Sequence, residues 1–306
     1  MEALPDMKNN IKNIAIIGLG LIGGSLAKAL KEKNYYITGI TRSEETIKLA
    51  LNEKAIDKGF TVLDSASLND VDLIVLAVPL LLIKQYIKKI AEIVKHEIIL
   101  TDVGSTKSDI CKIANDVLPA NIIFIGGHPM AGTENAGFKS STDNLFKDAA
   151  WVLTPFGKEN NEALNKLKDL IKQIGAIPVT VSPEKHDLAV ALISHIPLLI
   201  SSALCSLVKD HQDKELNTLS LLLASSGFRD ISRIAGGNPE LSRDLITSNL
   251  NNIEKLIPLY TSTLNGLLTM GKSSSQDLIK ILKETSDWRN DIYNPEGKNK
   301  NLLIKN

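Results

Sequence analysis

Residues 13–31 read NIAIIGLGLIGGSLAKALK, and this stretch decides the fold. Its apolar beginning, residues 14–17, is typical of a buried strand in a parallel sheet. Residues 25–30 favour a helix, and a turn with the spacing GxGxxG joins strand and helix. In that context the spacing indicates a dinucleotide-binding site. A tight turn that binds no ligand is the alternative.

The glycines of this turn have separate expected roles. Gly18 permits a sharp turn, Gly20 lets a pyrophosphate approach the backbone, and Gly23 lets the helix pack closely on the strand. The N–H groups at the start of the helix, from Leu21 and Ile22, face the phosphates and gain from the helix dipole. We therefore predict these five residues as cofactor contacts.

The composition is that of an ordinary globular protein. The 306 residues are 43% hydrophobic and 23% charged, and the formal net charge of +0 favours no polyanionic partner such as nucleic acid. Cys111 and Cys205 lack a CxxC spacing, so we expect neither a disulfide framework nor a metal site. The sequence begins without a secretory pattern, and apolar runs such as residues 73–83 are too short to span a bilayer. We expect a cytoplasmic protein.

Strands and helices alternate through the first part of the chain. Strands are predicted at residues 35–40, 72–79, 98–102, 122–125, 151–154 and 177–181. This alternation predicts an α/β fold with a doubly wound parallel sheet of the Rossmann type, whose ligands lie beyond the carboxyl ends of the strands. Two polar loops are expected at that edge, DVGSTK at residues 102–107 and GGHPMAG at residues 126–132. Val78 and Pro79, at the end of another strand, are candidate cofactor contacts.

From residue 182 onward the pattern is helical. Helices are predicted at residues 184–208, 214–224, 238–268 and 276–292, and a loose tail from residue 294. We therefore predict two domains, a nucleotide-binding domain at residues 1–182 and an all-α domain at residues 183–306. A helical domain with exposed apolar faces needs a partner surface, which predicts a homodimer formed through this domain.

The end of the second strand predicts which nicotinamide cofactor binds. An NAD site usually has an acidic residue about 20 positions after the glycines, where it binds the ribose hydroxyls. Here the strand ends in Thr41, Arg42 and Ser43, and a guanidinium with two hydroxyls suits the 2′-phosphate of NADP. The alternative is a solvated Arg42, with Glu44 or Glu45 binding the ribose, although acidic residues also suit the start of a helix.

Two histidines are candidates for function. His128 follows two glycines and precedes Pro129 at the cofactor edge of the sheet. A rigid loop fixes its side chain, and a histidine there suits general acid–base catalysis; a histidine bonded to the loop backbone is the alternative. His195 lies in an apolar helix near Pro197, where a kink is expected. A structural role and a substrate-binding role for His195 are equally open.

Arg229 and Arg233 are candidate substrate-binding residues. They are four positions apart, so on a helix both side chains lie on the same side. Paired guanidiniums bind carboxylates well, which indicates an anionic substrate. The alternative is that Arg229 pairs locally with Asp230 and leaves only one arginine for a ligand.

Five motifs in this order resemble the prephenate/arogenate dehydrogenase family of tyrosine biosynthesis: GLGLIGGS, DVGSTK, GGHPMAGTENAG, SHIP and SSGFRDISRIAGGNPEL. The strand tip and the GGNPEL segment are most similar to its cyanobacterial arogenate dehydrogenases. The resemblance implies a Rossmann domain, a helical dimerisation domain, and oxidative decarboxylation of a cyclohexadienol by a nicotinamide cofactor. By this resemblance His128 is the catalytic histidine, Ser105 is its hydroxyl partner and Arg233 binds a carboxylate.

Two positions depart from the family pattern. Leu198 stands where many prephenate-using relatives carry a second histidine, and Ser242 stands where bacterial relatives often carry a tryptophan. Because Leu198 can offer prephenate no hydrogen bond, we expect arogenate as the substrate. The ammonium of arogenate needs an acceptor, for which Asp187 is a candidate, although Asp187 could equally cap or pair within its helix.

Three alternative functions are considered. The first is a prephenate dehydrogenase that yields 4-hydroxyphenylpyruvate. The second is a β-hydroxyacid dehydrogenase, but such enzymes use a lysine within a long helix, and here Lys185 lies only at the helix start. The third is a non-catalytic NADP-sensing module, which would need no polar histidine at the cofactor edge.

Overall fold

The computed structural model describes residues 11–133, 135–157 and 161–293. The predicted tail and Glu134 of the GGHPMAGTENAG motif lie outside these ranges. The described chain contains strands β1 Asn13–Ile17, β2 Tyr36–Ile40, β3 Lys58–Phe60, β4 Leu73–Leu76, β5 Ile98–Asp102, β6 Ile122–Pro129, β7 Ala150–Pro155 and β8 Ile177–Thr180.

As predicted, the helices of the same ranges alternate with strands up to β8 and continue without strands beyond it, but their ends are shifted and the helix Ser226–Ser232 lies where no helix was predicted. They are α1 Leu21–Lys31, α2 Glu44–Asn52, α3 Leu80–Ile93, α4 Ser108–Val117, α5 Asn161–Gln173, α6 Pro183–Val190, α7 Ile196–Lys209, α8 Lys214–Leu223, α9 Ser226–Ser232, α10 Pro239–Ser248, α11 Leu250–Ser273 and α12 Ser275–Tyr293. A π-helical turn, Ala191–His195, joins α6 to α7. The predicted helix at residues 238–268 is wrong at one point, because Asn249 ends α10 and precedes α11.

All eight strands belong to one sheet, in the order β3-β2-β1-β4-β5-β6-β7-β8. Neighbouring strands are parallel, except that β6 and β7 are antiparallel. The doubly wound architecture is therefore confirmed, and its description as wholly parallel is corrected at this one pair.

Strand β6 is longer than predicted and includes His128. Residues 126–129 were expected in a loop. They instead continue the strand and pair with β7, where Pro129 lies opposite Trp151. Glycine, histidine and proline have low strand propensity. The returning strand β7 nevertheless gives them a pairing partner, so the prediction of a loop is wrong over these positions.

Alternate residues of the central strands point into two apolar layers, one on each face of the sheet. In β1, Ile14 and Ile16 join the layer that includes residues of α1 and α5, whereas Ala15 and Ile17 join the layer that includes residues of α3 and α4. Burial on both faces explains the continuous apolar run of this strand.

The described residues form two compact units. The first comprises those of Met1–Val190 and Gly236–Ser248, and the second comprises those of Ala191–Ala235 and Asn249–Asn306. The first unit contains the sheet. The second is helical and leaves many large apolar side chains exposed, including Leu222 and Leu223 of α8 and Leu259 and Leu268 of α11.

One helical stretch of the described chain, Pro183–Lys209, is long and apolar enough to cross a membrane by length and composition alone. Only 33% of its most apolar window is buried. The prediction that the apolar runs are too short overlooked this stretch, because polar residues such as Ser194 and His195 interrupt it. Helices that pack against other protein surfaces have the same length and composition, so the stretch alone is weak evidence for a membrane.

Candidate active site

The glycine turn between β1 and α1 is shaped for a close backbone approach. Gly18 has φ = +98°, and a Cβ at this position would lie 2.3 Å from the carbonyl oxygen of Ala77. A Cβ on Gly23 would lie 1.9 Å from the carbonyl oxygen of Gly18. Only glycine fits at either position, since each replacement would meet backbone rather than a movable side chain.

Gly20 is surrounded by open space, unlike the other two glycines. A Cβ there would meet no atom within 4 Å. Gly20 is the N-cap of α1 and provides no side-chain cap, so the first N–H groups of the helix, from Leu21 and Ile22, receive no hydrogen bond from the N-cap side chain. An open position beside uncapped N–H groups fits the pyrophosphate of a dinucleotide.

The tip of β2 places Arg42 in solvent. Ser43 is the N-cap of α2, and its Oγ accepts a hydrogen bond of 3.1 Å from the backbone N–H of Thr46. Glu44 and Glu45 lie in the first turn of α2. This agrees with the interpretation that these acidic residues begin a helix. The acidic side chains therefore have a local reason for their position, which is to complement the helix dipole.

Three other predicted cofactor contacts lie at the same edge. Thr41 follows β2, and its backbone N–H donates to the carbonyl of Phe60 at 3.0 Å. Val78 and Pro79 follow β4, and Pro79 precedes the first residue of α3. Both positions lie beyond the carboxyl end of a parallel strand, where ligands of such sheets bind.

His128 contacts a second histidine that the sequence analysis did not single out. Its Nδ1 lies 2.8 Å from Nε2 of His186 in α6, and the two rings meet edge to face, with centroids 5.1 Å apart. His128 is half-buried, whereas His186 is only 3% exposed. The two residues are 58 positions apart, so no local pattern could have indicated the contact.

Asp187 extends this contact to the start of α4. Its Oδ1 accepts hydrogen bonds from Nδ1 of His186 and the backbone N–H of Lys107, and its Oδ2 accepts one from the N–H of Ser108. Burial opposes ionisation, but the hydrogen bonds from His186, Ser108 and Lys107 outweigh it and hold the pKa of Asp187 below its usual value. The expectation that Asp187 accepts the substrate ammonium is therefore corrected: Asp187 is buried and caps α4.

A buried ion pair holds the residue before His128. Nζ of Lys107 contacts Oδ2 of Asp102 and donates to the carbonyl of Gly127 at 2.7 Å, and Oδ1 of Asp102 accepts the N–H of Gly127 at 3.0 Å. Both charged side chains are 0% exposed. The polar groups of Gly127 are thus fixed by side chains, and this positions the backbone from which His128 projects.

The remaining candidates are placed as follows. Ser105 lies half-buried in the loop between β5 and α4. In the helical unit, His195 is 1% exposed, and its Nδ1 lies 3.2 Å from Nδ2 of Asn249. Arg229 pairs with Asp230, with Nε and Oδ1 3.2 Å apart, which is the local pairing given above as the alternative. Arg233 is exposed at the beginning of a short 3₁₀ turn.

Comparison with known proteins assigns the family. The family model "Prephenate dehydrogenase, nucleotide-binding domain" matches residues 26–180, and the model "Prephenate dehydrogenase, dimerization domain" matches residues 182–284. The chain belongs to the prephenate dehydrogenase family. As a member of this prephenate/arogenate/cyclohexadienyl dehydrogenase family it is an oxidoreductase.

Individual relatives are similar over most of their length. The prephenate dehydrogenase of Bacillus subtilis is 33% identical over 93% of this chain and 77% of its own. The crystal structure of Synechocystis arogenate dehydrogenase has a TM-score of 0.83 and 34% identity, over 92% of this chain and 99% of its own. That of prephenate dehydrogenase from A. aeolicus, in complex with hydroxyphenyl propionate and NAD+, has a TM-score of 0.85 and 30% identity, over 92% and 99%.

Proposed function

We propose that this member of the family is an NADP-dependent arogenate dehydrogenase, which oxidatively decarboxylates arogenate to tyrosine. The main observation that supports catalysis at this site is the position of His128. The ring projects from the end of β6 at the edge of the sheet that also bears the glycine turn, and His186 holds its Nδ1. A histidine fixed in this way suits a general base.

In this proposal, His128 accepts the proton of the ring hydroxyl of the substrate. The nicotinamide, when bound, supplies the acceptor for the hydride that leaves the carbinol carbon. Loss of carbon dioxide then makes the ring aromatic, so this step needs little from the protein beyond orientation. Ser105 is proposed to position the histidine or the hydroxyl, and Arg233 to bind a carboxylate, with Arg229 and His195 as further substrate contacts.

The proposed choice of NADP rests on the tip of β2. The A. aeolicus relative was solved with NAD+, which supports a nicotinamide dinucleotide at the glycine turn of this chain. Arg42 is exposed beside the hydroxyls of Thr41 and Ser43, and the nearest acids form the first turn of α2. A guanidinium without a competing carboxylate at the strand end favours a 2′-phosphate.

The proposed choice of arogenate rests on Leu198. This residue is 6% exposed, and its side chain has no polar atom to offer the ketone of prephenate. The named relatives include both arogenate and prephenate dehydrogenases, so prephenate is the second candidate substrate. Because Asp187 is buried and caps α4, it is no longer a candidate acceptor for the ammonium of arogenate. Backbone carbonyls are the alternative acceptors.

We also propose a homodimer formed through the helical unit and a cytoplasmic location. The second matched family model is described as a dimerization domain. The exposed leucines of α8 and α11 supply an apolar surface that a second copy would cover. The cytoplasmic location stays a prediction from the sequence.

Paired steady-state assays test the choice of substrate. With NADP at one pH, we expect kcat/KM for arogenate to exceed that for prephenate by at least about tenfold, which corresponds to roughly 1.4 kcal/mol of differential transition-state binding. Polar contacts can discriminate this strongly when an analogue leaves them unpaired. Equal values, or a preference for prephenate, would mean that Leu198 does not determine the substrate.

A further inference from the structure

Asp187 is held in its ionised form by its surroundings. Its carboxylate accepts two backbone N–H groups at the start of α4, where the helix dipole favours a negative charge. The net lowering of its pKa agrees with this geometry. An ionised carboxylate can only accept hydrogen bonds. The 2.8 Å contact with Nδ1 of His186 therefore requires that Nδ1 to carry the hydrogen.

The position of this hydrogen determines the tautomer of both rings. A neutral His186 with hydrogen on Nδ1 has its lone pair on Nε2, and Nε2 is the atom that lies 2.8 Å from Nδ1 of His128. Nδ1 of His128 must then donate. The lone pair of a neutral His128 is consequently on Nε2, on the opposite side of the ring from His186.

We propose that His186, oriented by Asp187, is a positioning residue for His128, which it keeps in the tautomer whose Nε2 accepts the substrate proton. This inference rests on the proposed general-base role of His128. His186 and Asp187 are each 3% exposed, so they act through His128 rather than on the substrate. When His128 takes up the proton on Nε2, its Nδ1–H continues to donate to His186.

Other charged groups of the described residues lie near His186 and Asp187 on β5, α4 and α6. From β5 and the start of α4, Asp102 and Lys107 approach the same backbone, but they neutralise one another in a buried pair. On α6 itself, Glu184 and Lys185 are exposed to solvent. The carboxylate of Asp187 contacts His186 directly, and His186 in turn contacts Nδ1 of His128.

Two substitutions of His186 separate positioning from simple packing. In His186→Gln the amide reaches the place of Nε2 and can accept Nδ1–H of His128, but its contact with Asp187 is lost. In His186→Asn the shorter amide reaches only the place of Nδ1, so it keeps Asp187 and loses His128. We expect kcat to fall roughly tenfold to hundredfold in His186→Asn and to stay within about threefold in His186→Gln. Both changes should be smaller than the loss of the general base itself, which typically lowers the rate by about 10²–10⁴-fold.

Two kinetic parameters should stay unchanged and serve as controls. The KM for NADP should be unchanged in both variants, and Lys185→Gln, exposed on the same helix, should retain the kcat of the parent protein. If His186 served only to pack α6 against α4 through Asp187, His186→Asn would match or exceed His186→Gln in kcat. That order, or parental kcat in both variants, would overturn the inference.

Failure of the inference is distinguishable from failure of the proposed function. A His128→Asn variant that keeps turnover would remove the general base itself. An inactive His128→Asn variant with two active His186 variants would remove only the role of His186. Nitrogen NMR of the full chain with isotope-labelled histidine and bound NADP gives a direct reading: we expect hydrogen on Nδ1 and a lone pair on Nε2 of His128, and the opposite tautomer would overturn the inference.

Discussion

Nζ of Lys107 lies 2.7 Å from the carbonyl oxygen of Gly127, the residue immediately before His128. Lys107 is 0% exposed, so this ammonium has been removed from water entirely. A buried charge is tolerated only when it is paired and hydrogen-bonded, and here Asp102 and Gly127 meet that requirement. The same bonds fix the strand end that bears the proposed base.

Lys107→Met should destabilise the protein strongly. The substitution leaves the carboxylate of Asp102 buried without its cation, which typically costs about 3–5 kcal/mol of unfolding free energy. Urea denaturation measures this change. Lys84→Met is the matched control, because Lys84 pairs with Asp109 on the surface and such pairs contribute at most about 1 kcal/mol. Similar losses in the two variants would contradict the argument.

Two glycines of the phosphate-binding turn should respond oppositely to alanine. Gly20→Ala places its methyl group in open space, so stability should be retained while the KM for the cofactor rises. In Gly23→Ala the methyl group meets the backbone of Gly18, and overpacking of this kind costs about 1–3 kcal/mol or more. Thermal unfolding and cofactor titration of both variants check the pattern, and a stable Gly23→Ala protein would refute it.

Arg42→Ala should weaken NADP binding specifically. Loss of a charge-assisted pair with the 2′-phosphate should raise the KM for NADP by roughly tenfold or more. Lys48→Ala removes an exposed positive charge from α2, the helix that follows the strand tip, and should leave this KM unchanged. Wild-type protein that used NAD as well as NADP would show that the strand tip does not select the cofactor.

His128→Asn should lower turnover by about 10²–10⁴-fold, since the amide cannot serve as the base. NADP binding, measured by fluorescence titration, should stay intact. In the parent protein, turnover should fall as the pH decreases, because a protonated ring cannot accept the proton of the hydroxyl. Near-normal turnover of the variant would exclude His128 from the mechanism.

The protein should be a dimer in solution. Light scattering at micromolar concentration should give about twice the chain mass of 33.3 kDa, because the exposed apolar side chains of the helical unit favour a covered surface. A clean monomer at that concentration would contradict this prediction.

The sequence predicted those parts of the fold that depend on local patterns. The strand at residues 98–102 was predicted to the residue, because its apolar beginning, Ile98 to Leu100, indicates a buried strand and the polar loop motif DVGSTK begins at Asp102. The start of α2 was predicted correctly for the acids Glu44 and Glu45, since helix ends have local signals. The break at Asn249 lacks glycine or proline, and it was missed.

The site was predicted less completely because its contacts join distant parts of the chain. His128 was identified from its neighbours in sequence, but its partner His186 follows 58 positions later, within an ordinary helix start. Likewise, the strand character of Gly126 and Gly127 depends on pairing with β7. Residues of low strand propensity adopt strand structure when a tertiary partner requires it.

Because β7 runs antiparallel to β6, the helix ends that lie at this edge of the sheet differ in the sign of their partial charge on the two sides of β6. Helices α1, α3 and α4 each follow a strand of the parallel part, so their positive ends point to the edge where β6 ends. Helix α5 joins β7 to β8 and therefore points its negative, carbonyl end to that same edge. The part of the edge where helix ends attract anions therefore stops at β6, the sixth of the eight strands in the sheet order.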